Sequence, residues 1–115
     1  MGLNMSCVDI TIEDLVGCSF GLSKQEVAAF MSILGAKDWV SVVDLASSIK
    51  RDRSVIQRGL SSLLRKGLIE REQANKAGGG YEYLYRAKDK SQIKKAILEK
   101  SRAFSAMVRE AAQEW

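Results

Sequence analysis

The run from Asp52 to Gly67 constrains this chain more than any other stretch. Ile56, Leu60, Leu63 and Leu64 recur at the i, i+4, i+7, i+8 spacing of one helical face. Asp52 stands where an N-cap belongs, since a carboxylate there can accept the free amides of a first turn. Gly67 stands where a C′ glycine belongs, after Arg65 and Lys66, whose charges suit the negative end of the helix dipole. The pattern therefore predicts a helix over 53–66. Its outer face carries Arg53, Ser54, Gln57, Arg58 and Ser61, with no acid among them. A solvated helix face usually mixes Glu with Lys to gain i, i+4 pairs. A row of Arg, Ser and Gln is what gripping phosphates and reading base edges requires. Taken alone, the helix also fits a solvated surface that is simply basic.

The distribution of charge narrows this choice. The net charge is +4, but residues 1–49 hold two basic and six acidic side chains, whereas 50–66 hold six basic and one acidic. Residues 67–87 balance, and 88–115 hold seven basic and four acidic side chains. The positive field is concentrated on the 53–66 helix and on the C-terminal segment. With 46% hydrophobic residues, 9 Gly and no Pro in 115 residues, the chain is one domain's worth with a real core. No apolar run approaches the ~18 to 20 residues needed to span a bilayer. The N-terminal stretch carries Asp9, Glu13 and Asp14 and has no basic region of the signal-peptide kind. A cytoplasmic protein is expected.

Cys7 and Cys18 are the only cysteines, at a separation that matches neither a zinc site nor a disulfide framework. Buried free thiols are the expectation, with redox sensing as the alternative. The sequence has no His, no Ser or Cys nucleophile beside a base, and no evident carboxylate pair. An enzyme, a metal and a cofactor are therefore not expected.

Taken in order, residues 1–10 are weakly patterned and read as a flexible N-terminus. Thr11 caps a short helix over 12–18, with Ile12, Leu15 and Val16 on one face. Ser23-Lys24-Gln25-Glu26 is a capping box opening a helix to about Leu34, with Val27, Phe30, Met31 and Leu34 as its apolar stripe. Trp39-Val40 is a short strand candidate. Ser41 then caps a helix to about Ile49, with Asp44 at N3 and Val42, Leu45, Ala46 and Ile49 inward. Lys50-Arg51-Asp52 is a tight turn. Two short helices joined so form a helix-turn-helix, whose second helix enters the major groove.

Beyond it, 68–74 reads as a strand, 75–80 as a Gly-rich basic turn, and 81–87 as a strand with aromatics at period two. A β-hairpin after a recognition helix is the order of a winged helix. The triple glycine lacks the context of a phosphate-cradling loop. Asp89 caps a final helix to about Glu114, roughly 37 Å long at 1.5 Å per residue. Its stripe near a 3.5-residue period includes Ile93, Ile97, Phe104, Met107, Val108 and Ala111, interrupted by Lys100. A helix this long cannot cover its stripe on so small a domain, so part is expected to pack on a second copy. The alternative is that it folds back on its own chain.

The chain resembles the DNA-binding domain of TrmB-type archaeal regulators, and more distantly the MarR and ArsR types. The resemblance is carried by 21–27 (GLSKQEV), 43–46 (VDLA) and 53–69 (RSVIQRGLSSLLRKGLI), and covers about residues 11–100. It implies a mainly α fold with a small β-hairpin wing (α+β), namely a winged-helix domain over 11–88 and a dimerisation helix over 89–115. It implies a homodimer that regulates transcription by binding double-stranded DNA sequence-specifically, with the wing, about 74–81, on the backbone or minor groove. Carried over by position, the DNA contacts are Arg51, Arg53, Ser54, Gln57, Arg58 and Ser61, with Arg71, Asn75 and Lys76 from the wing. Because the chain ends after the long helix, the sugar-sensing domain of full-length TrmB-type regulators is expected to be absent, and the small-molecule effector is undefined. Gly59, in mid-helix, departs from a good helix former and is read as allowing a neighbouring helix to approach. A protein-interaction module or a nonspecific chromatin-type DNA-binding protein is the alternative function.

Overall fold

The computed structural model describes residues 3–5 and 8–115, with side-chain surroundings from Ile10 onward. Its contacts form two compact units, residues 22–88 and residues 1–21 with 89–115. The sequence reading instead groups 12–18 with the winged helix and sets 89–115 apart.

In the 22–88 unit, helix α2 (Lys24–Gly35) starts at Ser23, whose hydroxyl accepts the Glu26 amide while the Glu26 carboxylate accepts the Ser23 amide. Strand β3 (Val40–Ser41) leads directly into helix α3 (Val42–Ile49), capped by the same reciprocal pair, Ser41 with Asp44. Lys50 takes the left-handed conformation at φ 59°, and its amide and that of Arg51 both reach back to the Ala46 carbonyl. The chain then re-enters helix at α4 (Arg53–Arg65). Asp52 occupies the N-cap position, but its side chain makes no cap hydrogen bond, contrary to expectation. The C-terminal end follows the expected pattern. Gly67 adopts φ 74°, which L side chains rarely take, and the Leu68 amide reaches back to Leu63.

Strands β4 (Ile69–Asn75) and β5 (Tyr81–Ala87) form the wing, paired antiparallel from Ile69↔Ala87 to Asn75↔Tyr81. Strand β3 adds to the other edge of β5 through Val40↔Tyr85 and Ser41↔Leu84, giving the order β3-β5-β4. The core gathers Phe30 and Ile33 of α2, Leu45 of α3, Ile56, Leu60 and Leu63 of α4, Leu68 just before β4, and Ile69 and Tyr85 of the sheet, all buried. Burying each large apolar side chain is worth about 1.5–3 kcal/mol. The buried face of α2 centres on Ala29, Phe30 and Ile33, while Val27, Met31 and Leu34 are only half-buried. The sequence stripe therefore lies rotated from the true one, because α2 is apolar around most of its girth.

In the other unit, β1 (Leu3–Met5) and β2 (Val8–Ile10) pair antiparallel with Leu3 opposite Ile10. Helix α1 (Ile12–Phe20) begins with a Thr11–Asp14 capping box and ends at Gly21, φ 64°. It runs past the expected stop at Cys18. Val16 is buried but Ile12 is exposed, so the expected face is only partly inward. Helix α5 (Lys90–Glu114) packs against α1, and Asp89 caps it by accepting the Ser91 amide. Lys100, which interrupts the apolar stripe, donates to the Ser19 carbonyl and lies 4.7 Å from the centre of the Phe20 ring. Its charge is thus used where α1 ends.

Candidate nucleic-acid interface

Arg53, Ser54, Gln57, Arg58 and Ser61 are all exposed along one side of α4, while Ile56, Leu60 and Leu63 bury the other. This division follows from the 3.6-residue repeat, which gives a single helix an apolar and a polar side. No acidic side chain lies within Arg53–Arg65, so nothing on the helix itself neutralises this face. Arg51 is exposed in the turn before α4.

The wing has two chemically different faces. Alternation puts Arg71, Gln73 and Asn75 on the same face of the hairpin as Tyr81, Tyr83 and Tyr85. Tyr85 is buried in the core at one end of this face and Tyr81 is 55% exposed at the other. The Arg71 guanidinium sits 4.3 Å from the Tyr83 ring centre, and Tyr81 meets Tyr83 edge to face at 5.6 Å. Such contacts restrict the arginine's rotamers without consuming its donors. The opposite face carries Glu70, Glu72 and Glu82. There Arg86 pairs with Glu70 at 2.6 Å and lies 4.4 Å from the Trp39 ring centre. At the tip, the Lys76 amide donates to the Gly80 carbonyl and the Gly79 amide to the Lys76 carbonyl. This turn needs φ 98° at Gly79 and 79° at Gly80, conformations that glycine adopts without strain. Asn75 and Lys76 are exposed beside it.

A link that no local spacing announces ties α2 to α4. The Glu26 carboxylate, already part of the α2 capping box, accepts the Ser62 hydroxyl at 2.5 Å and the Lys66 ammonium at 3.4 Å. Burial works to raise this carboxyl's pKa. The Ser62 hydroxyl, the Ser23 amide and hydroxyl, and the Lys66 charge outweigh it, so the group lies below the ordinary glutamate value. The S-x-x-E box identified Glu26 as a cap, but its second role depends on helices brought together by the core.

Gly59 does not serve the close packing expected of it. A Cβ built there meets nothing within 4 Å, and Gly59 lies outside the left-handed conformation. It nevertheless weakens α4 by about 1 kcal/mol relative to Ala. It lines a cleft of about 400 Å³ between α2 and α4.

On α5 the expected dimerisation residues divide. Ile93 is buried within the chain and Ile97 half-buried, whereas Phe104, Met107, Val108 and Ala111 are exposed. Cys18 is exposed, not buried as expected, and Cys7 lies outside the described residues. No cluster of potential metal ligands and no helix long and apolar enough to cross a membrane occurs among the described residues.

Comparison with known proteins agrees with this architecture. The family model described as sugar-specific transcriptional regulator TrmB matches residues 18–91. An uncharacterized protein of Methanocaldococcus jannaschii is 38% identical over 96 residues, spanning 83% of this chain and 71% of that protein. A possible transcriptional regulator from Methanosarcina mazei Go1 superposes with a TM-score of 0.82 at 28% identity, covering 100% of this chain and 97% of that one. A MepR mutant of S. aureus bound to an oligodeoxyribonucleotide shares the fold at 17% identity, with a TM-score of 0.57 over 90% of this chain and 73% of that one. The acid-free α4 face, the wing and these matches converge: the chain belongs to the TrmB family of transcriptional regulators and has their winged helix-turn-helix fold.

Proposed function

We propose that the protein is a homodimeric transcription regulator that binds double-stranded DNA sequence-specifically. The observation that carries this reading is the outer side of α4, five exposed hydrogen-bonding or cationic side chains without an acid. Arg53 and Arg58 reach phosphates or guanine edges, Gln57 an adenine edge, and Ser54 and Ser61 make short contacts in the major groove. Arg71, Asn75 and Lys76 bring the wing to the backbone or minor groove, and Arg51 supplies a further phosphate contact. The Arg71–Tyr83 contact supports this assignment, since a held guanidinium loses less freedom on binding. The acidic wing face, with Glu72 and Glu82, is the one turned from DNA.

Dimerisation runs through α5 beyond its first turns. Phe104 is 67% exposed, Met107 65% and Val108 50%, an apolar stripe that a soluble monomer rarely leaves open. Ile97 and Ala111 border it, while Ile93 is already covered. A two-fold pair places the two recognition helices about 34 Å apart, one turn of duplex.

Selection of bound sequences from random duplex DNA at about 150 mM salt tests the reading, because nonspecific ionic binding is weakened there. Enrichment of an inverted repeat is the expected result. Absence of enrichment, with binding that fades as salt rises, overturns sequence-specific regulation.

A further inference from the structure

Of the side chains lining the cleft between α2 and α4, only Arg51 and Arg58 have been given a DNA contact so far. The cleft is lined on one side by Lys24 and Ala28 of α2, and on the other by Arg51, Arg58, Gly59 and Arg65. Among the described residues, Lys24, Arg51 and Arg65 have no ion-pair partner. The acid in the lining, Glu26, is already held by Ser62 and Lys66. The α2 end is not the attracting group, because Ser23 and Glu26 cap it. Arg58 belongs both to the cleft and to the outer side of α4, so the cleft opens onto the reading face. Gly59 supplies an independent observation. Neither its conformation nor its packing calls for glycine: the space beside it is open, and it forms part of the cleft wall.

We propose that this cleft seats a backbone phosphate of the bound duplex, with Lys24 and Arg65 as its cations and Arg51, at the other end of α4, on a neighbouring phosphate, and that Gly59 stays bare so that the sugar–phosphate chain can lie against the recognition helix. The inference rests on the DNA-binding reading above and adds Lys24 and Arg65 to its contacts. A phosphodiester suits the site because it brings one negative charge on a narrow, partly apolar strand. The cleft offers cations at its rim and Ala28, Ala29 and Val55 beneath. Being a backbone contact, it contributes affinity without sequence preference.

The test measures fluorescence anisotropy with the duplex recovered by selection, across a salt series. Gly59→Leu fills the cleft with a better helix former. It is expected to retain or raise the melting temperature while weakening every duplex about tenfold or more, the scale of one lost charged contact. Lys24→Ala is expected to flatten the salt dependence by about 0.9 per phosphate released, without changing the ranking of sequences. A Gly59→Leu protein that folds and binds at wild-type affinity overturns the proposal. So does a Lys24→Ala protein with an unchanged salt slope, which decides the matter even if Gly59→Leu misfolds. A wild-type chain that binds no duplex overturns the DNA reading itself, and the cleft assignment with it.

Discussion

The Ser62 hydroxyl donates to the Glu26 carboxylate across 2.5 Å, joining the first turn of α2 to the last turns of α4. The same carboxylate holds the α2 N-cap and attracts Lys66. One side chain therefore links the start of α2 to the C-terminal end of α4. Ser62 is buried at 9% exposure, so its hydroxyl needs this partner.

Glu26→Ala is expected to destabilise the fold by about 1–3 kcal/mol, because it orphans a buried hydroxyl and removes a cap. Urea unfolding at neutral pH measures the loss. The native carboxyl titrates below its ordinary value, so its stabilising effect is present above the unfolded glutamate pKa. It disappears as pH falls through the lower, folded pKa. Glu26→Gln should therefore show a shallower loss of stability with acid than the wild type. Parallel pH profiles would contradict this account.

Replacing Tyr83 by Leu keeps the apolar packing but removes the ring beneath Arg71. An exposed cation–π contact is worth about 0.5–1 kcal/mol. DNA affinity is expected to fall by a few-fold, with the unfolding midpoint nearly unchanged. The double variant with Arg71→Ala should bind no worse than Arg71→Ala alone. Additive losses would show that Tyr83 acts independently of Arg71.

Gln57 and Lys76 are expected to separate specificity from affinity. Gln57→Ala is expected to relax discrimination at one base position by about 1–3 kcal/mol. Lys76→Ala should weaken all duplexes alike and reduce the salt slope by about 0.9. Binding to a panel of single-base operator variants at two salt concentrations checks both. Equal losses on every sequence for Gln57→Ala would remove its base-reading role.

Phe104→Glu places a charge in the exposed α5 stripe. The expected outcome is a monomer by sedimentation equilibrium, with helix content retained and operator affinity sharply reduced. A variant that remains dimeric moves the interface elsewhere on the chain.

Much of this architecture was legible in the residue order because its signals are local. Three capping boxes, at Thr11, Ser23 and Ser41, act within a single helical turn, and all three were readable as helix starts. Gly67 and the Gly-rich tip mark reversals through backbone freedom alone. The strict 3.6-residue division of α4 separates Leu60 from Gln57 without reference to the rest of the fold. Periodicity failed on α2, where apolar residues occur nearly all round and only packing against α3, α4 and β5 selects Ala29, Phe30 and Ile33. Asp52 stands at its cap position without bonding, since sequence indicates a place and not a rotamer. The Glu26–Ser62 bond, the Arg71–Tyr83 contact and the open space at Gly59 were decided by tertiary structure. Each depends on distances between segments 12 or more residues apart, and such distances exist only once the core has closed.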